Sequence, residues 1–82
     1  MSIREQAGEL INEFHMCSRI KPKSNVIGFQ IEKDVCESWA IKLNNDLAWA
    51  EDSEIAESYY QLESRMKKLK EKIIIEVLTH GV

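Results

Sequence analysis

Residues 55–77 read IAESYYQLESRMKKLKEKIIIEV, and within them Ile55, Tyr59, Leu62, Met66, Leu69, Ile73 and Val77 recur at steps of three and four. That spacing returns apolar side chains to one stripe of a 3.6-residue helix, whereas a half-buried strand would need them at every second position. The stretch therefore predicts a long amphipathic helix made to lie against other apolar surface. Glu51, Asp52, Glu54 and Glu57 stand at its start and His80 at its end, with Gly81 beyond, an order that suits the helix dipole and a glycine C-cap. The expected helix covers 52–79; run from Ser53 it is about 40 Å long at roughly 1.5 Å per residue. Two shorter helices do not easily cover such a length, which leaves self-association or a partner to shield the remainder.

Working back from it, residues 29–45 are expected to form a second helix, with Ile31, Val35, Trp39, Leu43 and Leu47 stepping by four and Cys36 and Ala40 alongside. A four-step ridge drifts around a straight helix and suits packing at an angle rather than a coiled-coil seam. Asn44, Asn45 and Asp46 are poor interior helix residues, and Asp52 or Ser53 can cap a new start, so the break between the second and third helices is placed at one of these two points. Residues 26–31, VIGFQI, suit a short strand or the entry to the second helix; with no partner strand in view, helix is favoured. The loop before them, 19–25, holds the only proline, Pro22, which disfavours helix at Lys21 and removes a backbone donor. The first helix is expected over 3–18. Ser2 and Glu5 have capping-box spacing, and Ile3, Ala7, Leu10, Ile11, Phe14 and Cys17 share one face, with Arg4, Glu5, Glu9 and Glu13 mostly turned away. The fold class read from this pattern is all-α: a single domain over 1–82, built of three helices with the long amphipathic one last.

Size and composition narrow the function classes. A chain of 82 residues is one domain too small for a large active-site cleft. With 44% hydrophobic and 30% charged residues it has the balance of a folding helical domain rather than of a disordered segment. A net charge of −3 argues against a dedicated DNA-binding protein, which needs surplus Lys and Arg for phosphate contacts. No apolar run approaches the roughly 20 residues of a membrane span, and the N-terminus lacks the basic-then-apolar order of a secretory signal, so a cytoplasmic location is expected. Cys17 and Cys36 are too few and too unpatterned for a disulfide scaffold and read as small core residues.

Candidate chemistry is sparse. His15, Cys17, Cys36 and His80 are zinc-ligand types, but the tight Cys-x-x-Cys pairing of a structural site is missing, and His15 and Cys17, two apart on a helix, point to different faces. Neither cysteine has a local activating signature, Gly8, Gly28 and Gly81 stand alone rather than forming a phosphate loop, and Glu51 with Asp52 is accounted for by the helix start. No enzyme, metal or cofactor is expected. The surface is more informative. Arg65, Lys67, Lys68, Lys70 and Lys72 form one dense basic run on both flanks of the Met66, Leu69 and Ile73 seam, while residues 34–63 hold eight acids against Lys42 alone. Two readings stand: a solvated face partly paired with the acidic second-helix segment, or a patch for an acidic partner, a phosphate or an anionic membrane surface. Trp49, Tyr60 and Ile74 fall off the main stripe and are candidate hot-spot residues for a partner, or else contacts to the first two helices. The candidate partner-binding set is thus Trp49, Tyr60, Arg65, Lys67, Lys68, Lys70, Lys72 and Ile74.

Over its full length the chain resembles the RIII lysis-inhibition family of T-even bacteriophages, cytoplasmic antiholins of this size, through the opening MSIREQAGELINEFHMCSRIKPK and the helix ESYYQLESRMKKLKEK. The resemblance implies a non-enzymatic regulator in the host cytoplasm. Such a protein binds the short cytoplasmic part of the holin and, with a periplasmic antiholin, delays membrane permeabilisation and lysis. It assigns no individual binding residue. Two other classes remain open: a small phage regulator touching nucleic acid or the transcription machinery through 65–72, and a counter-defence protein that sequesters a host factor.

Overall fold

The computed structural model describes residues 2–21 and 28–80, apart from the side chains of Glu76, Thr79 and His80. Three helices account for nearly all of them: α1 (Ile3–Ser18), α2 (Phe29–Trp49) and α3 (Asp52–His80). No strand occurs among the described residues. Residues 22–27 of the proline loop, including the start of the VIGFQI stretch, and the expected Gly81 cap lie outside them.

Each helix starts for a local reason. The Ser2 hydroxyl accepts from the Glu5 backbone N–H at 3.2 Å, closing one arm of the expected capping box. Gly28 opens α2 with φ +82°, a left-handed conformation that a Cβ would disfavour. A turn of only Ala50 and Glu51 separates α2 from α3: the Ala50 N–H donates to the Asp46 carbonyl at 2.8 Å, and the Glu51 carbonyl accepts the first α3 bonds from Glu54 and Ile55.

The tie points fix an up-down-up arrangement. Arg4 near the start of α1 reaches the α2–α3 turn, Glu13 near the end of α1 pairs with Lys70, and Lys72 lies against Gly28 at the start of α2. All three helices pack on one another around a core in which Ala7, Leu10 and Phe14 of α1 meet Cys36, Ala40 and Leu43 of α2 and Ile55, Leu62, Met66 and Leu69 of α3. The long axis measures 43 Å, which is the length of α3 itself, since 29 residues at ~1.5 Å each give about 43 Å.

Four features go beyond the expected pattern. The helix does not break at Asn44, Asn45 and Asp46; α2 runs on to Trp49, and the break falls at the second of the two expected places. Asp46 is buried and accepts from the Ser58 hydroxyl of α3 at 2.5 Å and from Lys42 one turn earlier at 2.9 Å. A satisfied buried network outweighs helix propensities that differ by only ~0.5 kcal/mol. Arg4 lies on the exposed face, as expected, but it is tethered there: its Nη1 and Nη2 donate to the Leu47 and Ala50 carbonyls at 3.0 and 2.9 Å, and its Nε to Asp52 at 3.2 Å. A guanidinium fork thus satisfies carbonyls that the end of α2 leaves open. The four-step ridge of α2 drifts as expected, and the drift leaves Ile31 69% exposed while Phe29, Cys36, Ala40 and Leu43 face the core. Finally, the α3 stripe ends at half-buried Ile73, with Val77 exposed.

Candidate docking surface

The basic run does not form one patch. Successive α3 residues turn by about 100°, so 65, 67, 68, 70 and 72 point in different directions around the helix. Lys70 turns toward α1 and pairs with Glu13, which holds the ammonium pKa above its usual value; hydrogen bonding to that carboxylate is the main cause. Lys72 lies along α2, its Cε 3.4 Å from where a Cβ on Gly28 would stand. Arg65 is only half-exposed. Lys67 and Lys68 alone of the run are exposed with no ion pair among the described residues. Where the run pairs, it pairs with α1 rather than with the acidic segment of α2.

The three off-stripe residues also separate. Trp49, 73% exposed, sits at the α2–α3 turn, whereas Ile74 lies toward the far end of α3. The helix rises roughly 33 Å between Asp52 and Ile74, so no single patch holds both. Tyr60 shares a face with Lys67, Ile74 and Leu78, at helical intervals of seven, seven and four, and all four side chains are exposed. The neighbouring Tyr59 turns inward, its hydroxyl donating to Glu63 at 3.4 Å and its ring edge-on to Tyr60.

The apolar surface concentrates where α3 outruns its neighbours. Lys70 pairs with Glu13, five residues before the end of α1, and Lys72 lies against Gly28 at the start of α2; beyond them Ile74 is 57%, Ile75 46% and Leu78 80% exposed, with Val77 beside them. This cluster of large aliphatics at one end of a small domain is the kind of surface that marks an interaction site. Of the four, the sequence reading had singled out only Ile74. Its signal was there to be read: residues 73–78, IIIEVL, place apolar side chains at five of six consecutive positions, and one helix stripe cannot bury them all.

A second concave surface lies between α1 and α2. It is an open groove of about 450 Å³ lined by Ile11, Phe14 and Ser18 from one side and Lys33, Ala40 and Ile41 from the other. Ile41, 55% exposed, forms its apolar wall.

The titratable groups serve the fold. Burial pushes the Cys36 thiol up to about 11, reinforced by the nearby Glu32 carboxylate, and burial raises Cys17 as well, against an opposing pull from Lys70. Both are therefore poor nucleophiles at neutral pH. The Ser58 hydroxyl and then the Lys42 ammonium hold Asp46 below the usual carboxylate range. Among the described residues no group of three or more His, Cys, Asp and Glu side chains is placed to hold a metal ion, and no helix is long and apolar enough to cross a membrane.

No family model, no curated protein and no solved structure matches the chain.

Proposed function

We propose that the protein is a non-enzymatic, protein-docking regulator of the antiholin kind, in which the projecting end of α3 engages the cytoplasmic segment of a phage holin. The observation that carries this reading is the run of exposed aliphatics, Ile74, Ile75, Val77 and Leu78, on a helix that has outrun both of its neighbours. A helix end of this kind supplies anchors at i, i+3 and i+4, the spacing used when an amphipathic segment docks on another helix. The resemblance of the sequence to lysis-inhibition proteins supplies the partner.

The physical consequence is a shift of equilibrium. Holins of this system trigger by lateral assembly, so a soluble domain that holds the cytoplasmic segment of the unassembled form stabilises that form by its binding free energy. Assembly must give that energy up, and its onset is delayed. No covalent step enters.

The alternative through nucleic acid is disfavoured by the scattering of the basic run. Substantial phosphate binding needs several cations on one surface, and here Lys70 is engaged with α1 while Lys72 lies along α2. Two exposed lysines near anionic lipid are worth only about 1 kcal/mol each, enough for a weak peripheral contact and no more.

The test is calorimetric titration of the full chain with a synthetic peptide of a T-even holin cytoplasmic segment. Saturable binding that Leu78→Asp abolishes and Trp49→Ala leaves intact supports the reading. Absence of heat at high peptide concentration, with the domain folded by circular dichroism, removes it.

A further inference from the structure

Two surfaces of this chain match each other. One is the α3 end, with Ile74 and Leu78 four residues apart on one face; the other is the groove between α1 and α2, floored by Phe14 and Ala40 and walled by Ile41. The groove's lining reaches Ser18 and Lys33, near the end of the bundle that α3 overruns. Its volume of about 450 Å³ has room for two or three large aliphatic side chains, taking on the order of 150 Å³ for the space a buried leucine leaves when cut back. Charge agrees with shape. Lys33 and Glu37 line the groove one turn apart, and Glu71 and Lys72 precede the projecting end, so each surface carries both signs. Neither has the one-signed excess that a nucleic acid or an anionic lipid surface would require.

We infer that two copies of the chain associate about a two-fold axis, each laying the exposed Ile74, Ile75, Val77 and Leu78 of its α3 end on the α1–α2 groove of the other, with Ile74 and Leu78 deepest. The exchange is reciprocal and therefore closes as a dimer rather than growing into a filament. The exposed parts of Ile74, Ile75, Val77 and Leu78 amount to about two whole aliphatic side chains, on the order of 250 Å². Counted with the groove surface that they cover, and doubled by the symmetry, the burial comes to about 1,000 Å², at the lower bound for a specific interface. The dimer is accordingly reversible. An end released so readily stays available to another partner, which would compete with the second copy for Leu78.

Sedimentation equilibrium of the full chain tests this without any other component, so its outcome is separate from that of the holin-peptide titration. The wild type should be dimeric at high concentration and dissociate on dilution. Leu78→Asp in the end and Ile41→Asp in the groove alter side chains that are 80% and 55% exposed, so both variants should keep the helical circular dichroism of the wild type. Each alone should raise the dimer dissociation constant by more than about tenfold. An equimolar mixture of the two should regain part of the association, because the mixed dimer keeps one intact end in one intact groove. A wild type that stays monomeric throughout overturns the inference. So does a dimer that Leu78→Asp disrupts and Ile41→Asp leaves unchanged, which would mean that the two ends pair with each other, or one that survives both changes.

Discussion

Replacing Ser58 by alanine tests whether the Asp46 network is what carries α2 through its three poor helix residues. Ser58 is 1% and Asp46 3% exposed, and the hydroxyl donates to Asp46 Oδ2 at 2.5 Å. A hydrogen bond to a charged acceptor contributes ~1.5–3 kcal/mol, and no water can replace it in a gap so small; Lys42 remains to hold the carboxylate, which places the loss near the middle, about 2 kcal/mol. A chain of 82 residues has a total stability of only ~4–12 kcal/mol at typical values per residue, so the variant should melt roughly 8–16 °C lower. The effect must also depend on pH. Asp46 is held below the ordinary carboxylate range in the folded state, chiefly by Ser58, so its contribution is fully present above the unfolded pKa near 4 and is lost as pH falls through the folded value. Urea denaturation followed by circular dichroism at neutral pH and at stepped acidic pH measures both. A neutral-pH loss below about 0.5 kcal/mol, or one that does not shrink on acidification, would refute the assignment of a charged, buried Asp46.

Other parts of the fold give equally direct tests. Arg4→Ala should lower stability by about 1 kcal/mol, discounted because the side chain is 48% exposed, and Arg4→Lys should recover little of it, since an ammonium cannot bridge the Leu47 and Ala50 carbonyls and Asp52 at once; thermal melts of the three proteins decide. Gly28→Ala should cost about 1 kcal/mol through its positive φ and not through crowding, because the added Cβ meets only the flexible end of Lys72, Cε at 3.4 Å and Nζ at 3.5 Å; a Lys72→Ala background that restores stability would contradict this. Leu69→Asp places an unpaired charge at a fully buried position and should unfold the domain, and an unchanged melting temperature would refute the α3 stripe as core. Against a thiol reagent at neutral pH, Cys17, only partly buried, should react well before Cys36, whose thiol is fully buried and raised to about 11; equal rates would show that α2 opens locally.

What was legible in the chain was whatever repeats. Helical periodicity and the Ser2–Glu5 cap located α1 over the residues expected of it, and the three-four spacing located α3. What the pattern does not show at Asp46, Arg4 and Lys70 has one physical cause, which is contact between residues far apart in sequence. Asn44, Asn45 and Asp46 read as a break because propensity is local, while the partner that makes Asp46 helical is Ser58, twelve residues away. Arg4 lies on the polar, exposed face that the pattern gives it, but its carbonyl partners, 43 and 46 residues on, do not show in that pattern. The basic run spreads to both flanks of the Met66, Leu69 and Ile73 seam, as its spacing implies, but nothing local shows that Lys70 ends up with Glu13. The α2 ridge drifts as its four-residue step implies, overshooting one turn by about 40° each time, so that Ile31 and Leu43, three steps apart, lie about 120° apart around the helix.

The same geometry divides α3 between two tasks. From Ile55 to Leu69 its buried stripe is Ile55, Leu62, Met66 and Leu69, all of them 0–1% exposed, so a change there is paid in folding. From Ile74 onward the helix touches neither α1 nor α2 strongly enough to bury a large side chain, and a polar substitution there removes little that folding had gained. Exposed aliphatics lower solubility, and the two free lysines just before them, Lys67 and Lys68, do not offset four such side chains. Stability and association should therefore separate cleanly along one helix: Leu69→Asp acts through the melting temperature, while Leu78→Asp acts through binding with the melt of the monomer unchanged.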